Sequence, residues 1–505
     1  MALTGLIDTS AQAARSGPMP RHDVTRAQWT AVAEALGRGE ATLLGLWAHE
    51  QTVFMALNAP GTHWLGLLAL ETDGTFPSVG LHHAPAQRLE RAIRDLHGLA
   101  PEGAPDSRPW LDHGRWGIGQ PLAAPGPARE PGYDFLPVEG ESLHQVPVGP
   151  VHAGVIEPGH FRFTAQGETV VRLEERLGYV HKGIEGLMAG ASPGRGAELA
   201  ARTSGDSTVA YGWAYAQAVE AALAVEVPPR AVMLRALMAE LERLANHLGD
   251  IGAICNDAAF AMMLAHCGAL REQVLRAAQA AFGHRFMRDL IQPGGVSRDL
   301  TPDGAAALRS TLDGIARRFP RLVELYDSTA SLLDRTVGTG RLSPALAARF
   351  GAGGHVGRAS GRAFDARRAL PYGPYDRLEF SVPCREDGDV NARIWIRIEE
   401  VKQSLALLDQ ILAALPDGPL PDSPLAAALP EPGEPREGLG LAEGFRGDIL
   451  VWLALNADGS IARCHLRDPS WFQWPLMEAA IEGNIIADFP LINKSFNCSY
   501  SGHDL

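Results

Sequence analysis

Two stretches decide how this chain is read: Ala201–Glu220, ARTSGDSTVAYGWAYAQAVE, and Leu491–Leu505, LINKSFNCSYSGHDL. Taken alone, the first is a tight polar turn feeding an apolar helix. Ser204, Asp206 and Ser207 are residue types that start helices, because their oxygens accept hydrogen bonds from the free N–H groups of a first turn. From Val209 onward, small and aromatic residues allow the helix to pack between others. The second stretch carries a single thiol, Cys498, with no second cysteine two or three positions away.

Composition narrows the class. A chain of 505 residues with 46% hydrophobic content supports a large core and two to four domains. The formal net charge of −14 argues against nucleic acid as a partner, since phosphate recognition needs basic stripes. The 10 Trp, 36 Pro and 55 Gly describe a loop-rich folded protein. Its five cysteines, Cys255, Cys267, Cys384, Cys464 and Cys498, form no C-x-x-C pair, which fits a reducing compartment and excludes an iron–sulfur cluster of ordinary four-cysteine type on this chain. The start, MALTGLIDTSAQAARSG, lacks the basic lead and apolar core of a signal peptide. No run of about 18 apolar residues is present to span a bilayer, so work at a membrane requires docking on an integral partner.

Along the chain, the fold class expected is α+β: a small α+β domain, then a mainly helical bundle with peripheral β-hairpins. In residues 1–116, Ala27–Leu36 and Ala86–Leu96 are expected helices, and Ala41–Trp47, Val53–Leu57 and Trp64–Leu70 expected strands. Residues 117–148, rich in Pro and Gly, read as an extended linker. Residues 149–505 open with a hairpin around Gln166-Gly167-Glu168. Long helical stretches follow at Arg202–Val225, Arg230–Ile254, Ala258–Gly283 and Ala305–Asp334, with a last bundle helix near Ile398–Ile411. Leu415–Gly440 reads as a Pro-rich surface excursion, and Asp458-Gly459 as the turn of a late hairpin.

Several motifs then resemble one family in the right order. RTSGDSTVAYGWAY is similar to the first metal motif of the nickel-bearing large subunit of membrane-bound NiFe hydrogenases, R-x-C-G-x-C-P-x-x-H-x-W-A-Y. Arg202, Gly205, Trp213, Ala214 and Tyr215 match; Ser204 and Ser207 stand in the cysteine places and Tyr211 in that of the histidine. The family's D-P-C-x-x-C tail is here Asn497-Cys498-Ser499-Tyr500-Ser501-Gly502, which puts Ser499 and Gly502 at ligand positions. GPVHAGVIEPGHFRF and YVHKGIE resemble both that subunit and the quinone-site subunit of respiratory complex I. Further matches are Glu240, Arg243 and His247, then Arg358, Ser360, Asp365, Arg367, Tyr372 and Tyr375, then Arg446, Gly447, Arg463 and Arg467. ERAIRDLHGLAPEGAPDSRPW resembles the small peripheral-arm subunit of complex I through Glu90, Arg91, Asp95, Leu96, Gly98, Gly103, Pro105, Asp106 and Arg108.

The resemblance implies a hydrogenase-shaped subunit whose metal site has lost its thiolates, since serine hydroxyls and a glycine cannot hold a soft, thiolate-bound metal. The expected cavity is lined by Glu157, His160, Arg202, Ser204, Asp206, Ser207, Tyr211, Ser499 and His503. Glu157 aligns with the hydrogenase glutamate that passes protons, and also reads as a solvated turn acid. His160 stands in the loop where complex I places a quinone-contacting histidine, and also reads as an ordinary half-buried one. Glu157, His160 and Tyr211 are the catalytic candidates; Arg202, Ser204, Asp206, Ser207, Ser499 and His503 the binding ones. The dense Arg and Asp residues of 358–376 are either an ion-paired brace or a proton path. Quinone is the implied acceptor, with no metal on this chain. The implied partners are an iron–sulfur small subunit carrying the donor cluster and integral membrane subunits. The implied place is the cytoplasmic side of the inner membrane. The alternative is a redox-inert coupling subunit; an active NiFe hydrogenase would need thiolates the chain lacks.

Overall fold

The computed structural model describes residues 11–13, 20–59, 65–420 and 435–505. Trp64 and most of the expected Pro-rich excursion, 421–434, lie outside the described residues, as does most of the N-terminal stretch read for a signal peptide.

The fold is mixed α+β. In the N-terminal part, helix α1 (Arg26–Gly37) starts with a T-x-x-Q capping box: Thr25 Oγ1 accepts from Gln28 N, and Gln28 Oε1 accepts from Thr25 N at 2.9 Å. Strands β1 (Ala11–Ala13), β2 (Arg21–Asp23), β3 (Thr42–His49), β4 (Thr52–Asn58) and β5 (Leu65–Glu71) form one sheet in the order β1-β2-β5-β4-β3. Helix α2 (Gln87–His97) covers it and ends on Gly98 in the left-handed conformation.

The end of the expected linker is paired into a sheet. Leu143–Val148 forms strand β6, which pairs antiparallel with β7 (His160–Gln166), itself paired with β8 (Thr169–Arg176). The expected excursion likewise ends in a strand: β9 (Arg436–Gly444) pairs with β10 (Gly447–Leu455), and β10 with β11 (Ile461–Arg467). The reason for β9 lies in Gly438 and Gly440. A Cβ at either would fall on the carbonyl oxygens of Ala218 and Ala214, so these glycines let helix α3 (Thr208–Leu223) rest its backbone directly on the strand. The alternation of apolar residues around two glycines is too short a signal to separate from a loop.

The N-terminal sheet and the β9–β11 sheet share a core. Trp47, Phe54 and Leu67 pack with Leu450 and Trp452, and the rings of Trp47 and Trp452 lie 5.7 Å apart. Arg467 Nε donates to Leu44 O at 2.6 Å across the same seam. The bundle is built on α4 (Pro229–Asp257), which lies against α5 (Ala261–Phe282) and α7 (Val390–Ala413); α6 (Pro302–Ser328) packs on α5. After β11 comes α8 (Ser470–Ile481), which the sequence pattern does not separate from the hairpin, and then α9 (Phe489–Phe496). No helix among the described residues is long and apolar enough to cross a membrane.

Candidate functional site

The turn before α3 does not cap its own helix. Ser207, at the N-cap position, makes no side-chain cap bond. Glu242, reaching over from α4, accepts instead from Val209 N at 2.7 Å and Ala210 N at 3.1 Å. Burial pushes its carboxyl up to about 8, against the pull of those two N–H groups. The polar side chains of the turn are thereby left for one another. Ser204 Oγ donates to Asp206 Oδ1 at 2.9 Å, and Ser207 Oγ lies 3.4 Å from the same oxygen. Arg446, at the turn between β9 and β10, closes a fork on Asp206 through Nη1 to Oδ1 at 2.7 Å and Nη2 to Oδ2 at 2.6 Å. Burial would raise the Asp206 carboxyl, but Arg446 and the two serines hold it below its ordinary value.

The chain's end is brought to this turn. Asn497 ends α9 in the left-handed conformation, with φ 48°, and reverses the chain. Its carbonyl accepts from Arg446 Nε and its side-chain amide donates to Asp250 of α4. Ser499 then caps the terminal turn Tyr500–Asp504: its Oγ accepts from Gly502 N at 2.9 Å. The same Oγ lies 3.0 Å from Ser204 Oγ, although 295 positions separate the two residues. Beside this contact is a cavity of about 380 Å³, lined by Ser204, Asp206, Arg446, Lys494, Asn497, Cys498, Ser499 and Tyr500, with Val155, Ile156 and Glu157 at its rim. Val155 is 85% exposed. Burial pushes the Cys498 thiol well above its ordinary range.

Of the residues singled out from sequence, Glu157, Ser204, Asp206 and Ser499 line the cavity, and Ser207 lies just behind it on Arg446 and Asp206. Glu157 is exposed and accepts from Ser501 N at 3.3 Å. The others are elsewhere. Arg202 points to the surface, in a fork with Asp289 at 2.6 and 2.8 Å. Tyr211 is fully buried and donates to Asp468 Oδ2 at 2.7 Å; burial, then Asp468, raise its phenol well above the ordinary value. His160 is buried on β7 with Nδ1 3.2 Å from Gly149 O and its ring against Phe135, and burial lowers its imidazole. His503 accepts from Trp110 Nε1 at 3.2 Å, and its Nδ1–H donates to Asp504 at 2.8 Å. Arg446 stands in the family pattern, yet sequence reasoning does not assign it to the site, and it misses Asp468 and Lys494 altogether. The FRGD string around Arg446 is a usable signal; nothing local marks Asp468, whose place depends on α8.

These residues do not fit a four-thiolate metal centre. Ser204, Ser207 and Ser499 present hydroxyls engaged with Asp206, Arg446 and each other, and Gly502 presents no donor. The space a Cβ at Gly502 would take is already filled by Asp468 Oδ2. A soft metal needs ionised sulfur, and the one thiol here is buried and held protonated.

Comparison with known proteins follows the same lines. Residues 257–504 match the family described as respiratory-chain NADH dehydrogenase, 49 kDa subunit. The chain is 33% identical over 486 residues to formate hydrogenlyase subunit 5 of Escherichia coli (strain K12), spanning 93% of this chain and 84% of that one. It is 32% identical over 357 residues to the carbon monoxide-induced hydrogenase of Rhodospirillum rubrum, spanning 70% of this chain and 98% of that one. To a NADH-quinone oxidoreductase subunit of Roseiflexus sp. (strain RS-1) it is 34% identical over 364 residues, 70% of this chain and 96% of that one. A chain of the membrane-bound sulfane sulfur reductase, an archaeal respiratory membrane complex, superposes with a TM-score of 0.68 at 25% identity, covering 73% of this chain and all of that one. This chain therefore belongs to the family that joins the large subunits of formate hydrogenlyase-type hydrogenases to the 49 kDa subunit of respiratory-chain NADH dehydrogenase.

Proposed function

We propose that this chain is a peripheral-arm subunit of a membrane-docked, complex I-like oxidoreductase, related to energy-converting hydrogenases and working without a nickel–iron centre. Electrons arrive from an iron–sulfur cluster on a small partner subunit and pass to a quinone or similar carbonyl acceptor, coupled to ion movement through integral membrane subunits on the cytoplasmic side. Residues 1–116 serve as an assembly module, 117–148 as the connection, and 149–505 as the part that holds the cavity.

One observation carries this reading: Ser204 and Ser499, which stand where the family pattern has cysteines, meet at 3.0 Å beside an open cavity. Relatives named as hydrogenases and as NADH-quinone oxidoreductase subunits support the class. The Arg446 guanidinium keeps N–H groups beyond those given to Asp206 and Asn497, and these donate to a carbonyl oxygen without transferring a proton; the serine hydroxyls, whose protons go to Asp206 and to each other, hold the wall that orients the acceptor. Reducing a quinone to a quinol consumes protons and electrons in equal number. Glu157, exposed at the rim, is the group placed to carry protons from solvent. Tyr211, whose hydroxyl is given to Asp468, fixes the wall behind the terminal turn and does not reach the acceptor.

A specific observation favours the second reading, a redox-inert coupling subunit. The cavity's Asn497 leads through Asp250 to Arg397 at 3.1 Å and from there to His355 at 2.9 Å, a continuous hydrogen-bonded connection deep into the bundle. Assay of the purified complex decides between them: inhibitor-sensitive quinone reduction lost in Arg446→Lys supports the first, and a complex that never reduces quinone leaves the second. Stoichiometric nickel in the purified subunit would overturn both.

A further inference from the structure

A second cavity, of about 600 Å³, lies away from the Ser204–Ser499 contact, where the connecting segment meets β8 and the loop after it. Its volume is in the range of small-molecule pockets, roughly 300–1,000 Å³. In a chain with 59 acidic residues, none of the residues lining it is a carboxylate. The lining instead brings together two guanidiniums, Arg115 and Arg176, two imidazoles, His113 and His181, and four aromatic rings, Trp116 and Tyr179 among them.

Arg176 is the unusual member. Most other buried arginines meet a carboxylate, as Arg235 meets Glu220 at 2.6 Å, Arg358 meets Glu400 at 2.7 Å and Arg397 meets Asp250 at 3.1 Å. Arg393 is also buried without one, but its Nε is taken by Ser495 and its other nitrogens by the carbonyls of Gly388 and Gly340. Arg176 is 2% exposed and, among the described residues, has no carboxylate within ion-pair distance. It donates to the carbonyls of Pro109, Trp110 and Asp112, and its Nε has no partner. Burial lowers it only to about 10, so it remains a cation at neutral pH. The acids nearby are spent behind the wall. Asp504 accepts from Gly178 N and Val180 N, Asp95 from three backbone N–H groups, and Asp112 from Gly114 N. Arg115, exposed at the rim, also lacks a carboxylate among the described residues. A buried cation without a counter-charge is costly, and the Coulombic preference of such a wall is for an anion. The four rings add flat, polarisable surface suited to a conjugated ring.

We infer that this cavity binds a planar aromatic anion of about mononucleotide size, its carboxylate or phosphate between Arg115 and Arg176 and its ring against Trp116 and Tyr179. The inference does not depend on the redox reading and needs no electron donor to test. The full chain is titrated calorimetrically with 2-naphthoate and with adenosine monophosphate; adenosine and inorganic phosphate, each carrying only the ring or only the charge, are run beside them. The result expected is one saturable site for at least one ring anion, with both half-ligands about tenfold weaker or more. Arg115→Ala, at an exposed position, is expected to keep the wild-type melting temperature and to weaken that binding about tenfold. Arg176→Gln is expected to abolish it, its folding checked by the same melt. If neither ring anion saturates the chain by about 1 mM, or if Arg115→Ala binds as the wild type does, the inference is wrong.

Discussion

Glu400 and Ser204 are both buried polar groups of the same domain, and they are held in opposite ways. Glu400, on α7, is tied to Arg358 at 2.7 Å and to His247 at 2.6 Å. Arg358 continues to Glu443 at 3.0 Å and Asp365 at 3.4 Å, and Asp365 passes through Arg367 to Glu240 at 2.8 Å. Burial would raise the Glu400 carboxyl, yet Arg358 and His247 hold it well below the usual range. Ser204, by contrast, meets another hydroxyl and a carboxylate whose side chain is 37% exposed. A network of charges fixes every member, because each partner removed leaves an ion in a low dielectric. A cluster of hydroxyls rearranges cheaply, since each oxygen both donates and accepts. That difference means that the residues of the Ser204 cluster can be exchanged without stranding a charge, whereas those of the network beside it cannot.

Cutting the network is the strongest way to probe the contrast. Glu400→Ala leaves Arg358 and His247 facing a void and is expected to cost about 3–5 kcal/mol, read as a large drop in melting temperature or loss of soluble chain. A cost near that of a surface pair, about 1 kcal/mol or less, would remove the distinction. Next in size is Gly440→Val. The added side chain has to push β9 off α3, and β9 leads into both Glu443 of the network and Arg446 of the cavity. Overpacking of this kind costs about 1–3 kcal/mol. Denaturant unfolding gives the figure, and a variant as stable as the parent would mean that strand and helix separate freely.

What is legible in the sequence follows the same division. Long-period patterns hold: α1, α2, strands β3, β4 and β5 of the first sheet, the bundle helices and the β7–β8 hairpin fall where apolar spacing puts them. Glu240, Arg243 and His247 are buried and paired, and of the arginines and aspartates of 358–376, Arg358, Asp365 and Arg367 are joined in an ion-paired brace while Asp376 lies exposed outside it. The turn and tail motifs, 295 positions apart at their serines, do meet. The failures are tertiary. Arg202 matches a pattern, but its direction is set by Asp289, which no local signal links to it. Ser204, Asp206 and Ser207 have the composition of a helix cap, and the cap comes from Glu242, one helix on, because α4 runs beside the start of α3. Strand β9 escapes the sequence pattern because its two glycines answer a neighbouring helix rather than a turn.

Glu242 connects the two regions and gives the contrast a pH signature. Its folded carboxyl titrates at about 8, against about 4.3 in an unfolded chain. Below about 4.3 both states hold the proton and the contribution is complete. As pH rises toward about 8 the unfolded state has released its proton while the folded state keeps it, so stability falls, and above about 8 the loss levels off. Glu242→Gln is expected to flatten the denaturation midpoint against pH across that window. At acidic pH, where the parent's protonated carboxyl also offers one acceptor and one donor, the variant is expected to match the parent within about 1 kcal/mol. A slope that persists in the glutamine variant would assign the pH dependence to another buried acid.

The smallest effect is the one on which the cavity argument is most exposed. Ser204→Ala removes one hydroxyl from a set in which Ser499 still accepts from Gly502 and Asp206 still holds Arg446, so the expected loss is about 0.5–1 kcal/mol, that of one neutral hydrogen bond. Ser499→Ala costs somewhat more, because it also uncaps the terminal turn. In the double variant the two losses are expected to fall short of their sum by a few tenths of a kcal/mol, the coupling of two hydroxyls in contact. A full additive loss would say that the 3.0 Å contact carries no energy and that the turn and the tail are held together only by Arg446. A coupling as large as that across Glu400 and Arg358 would say the opposite: the hydroxyls are as tightly fixed as the charges, and the two regions do not differ in how freely their residues can be exchanged.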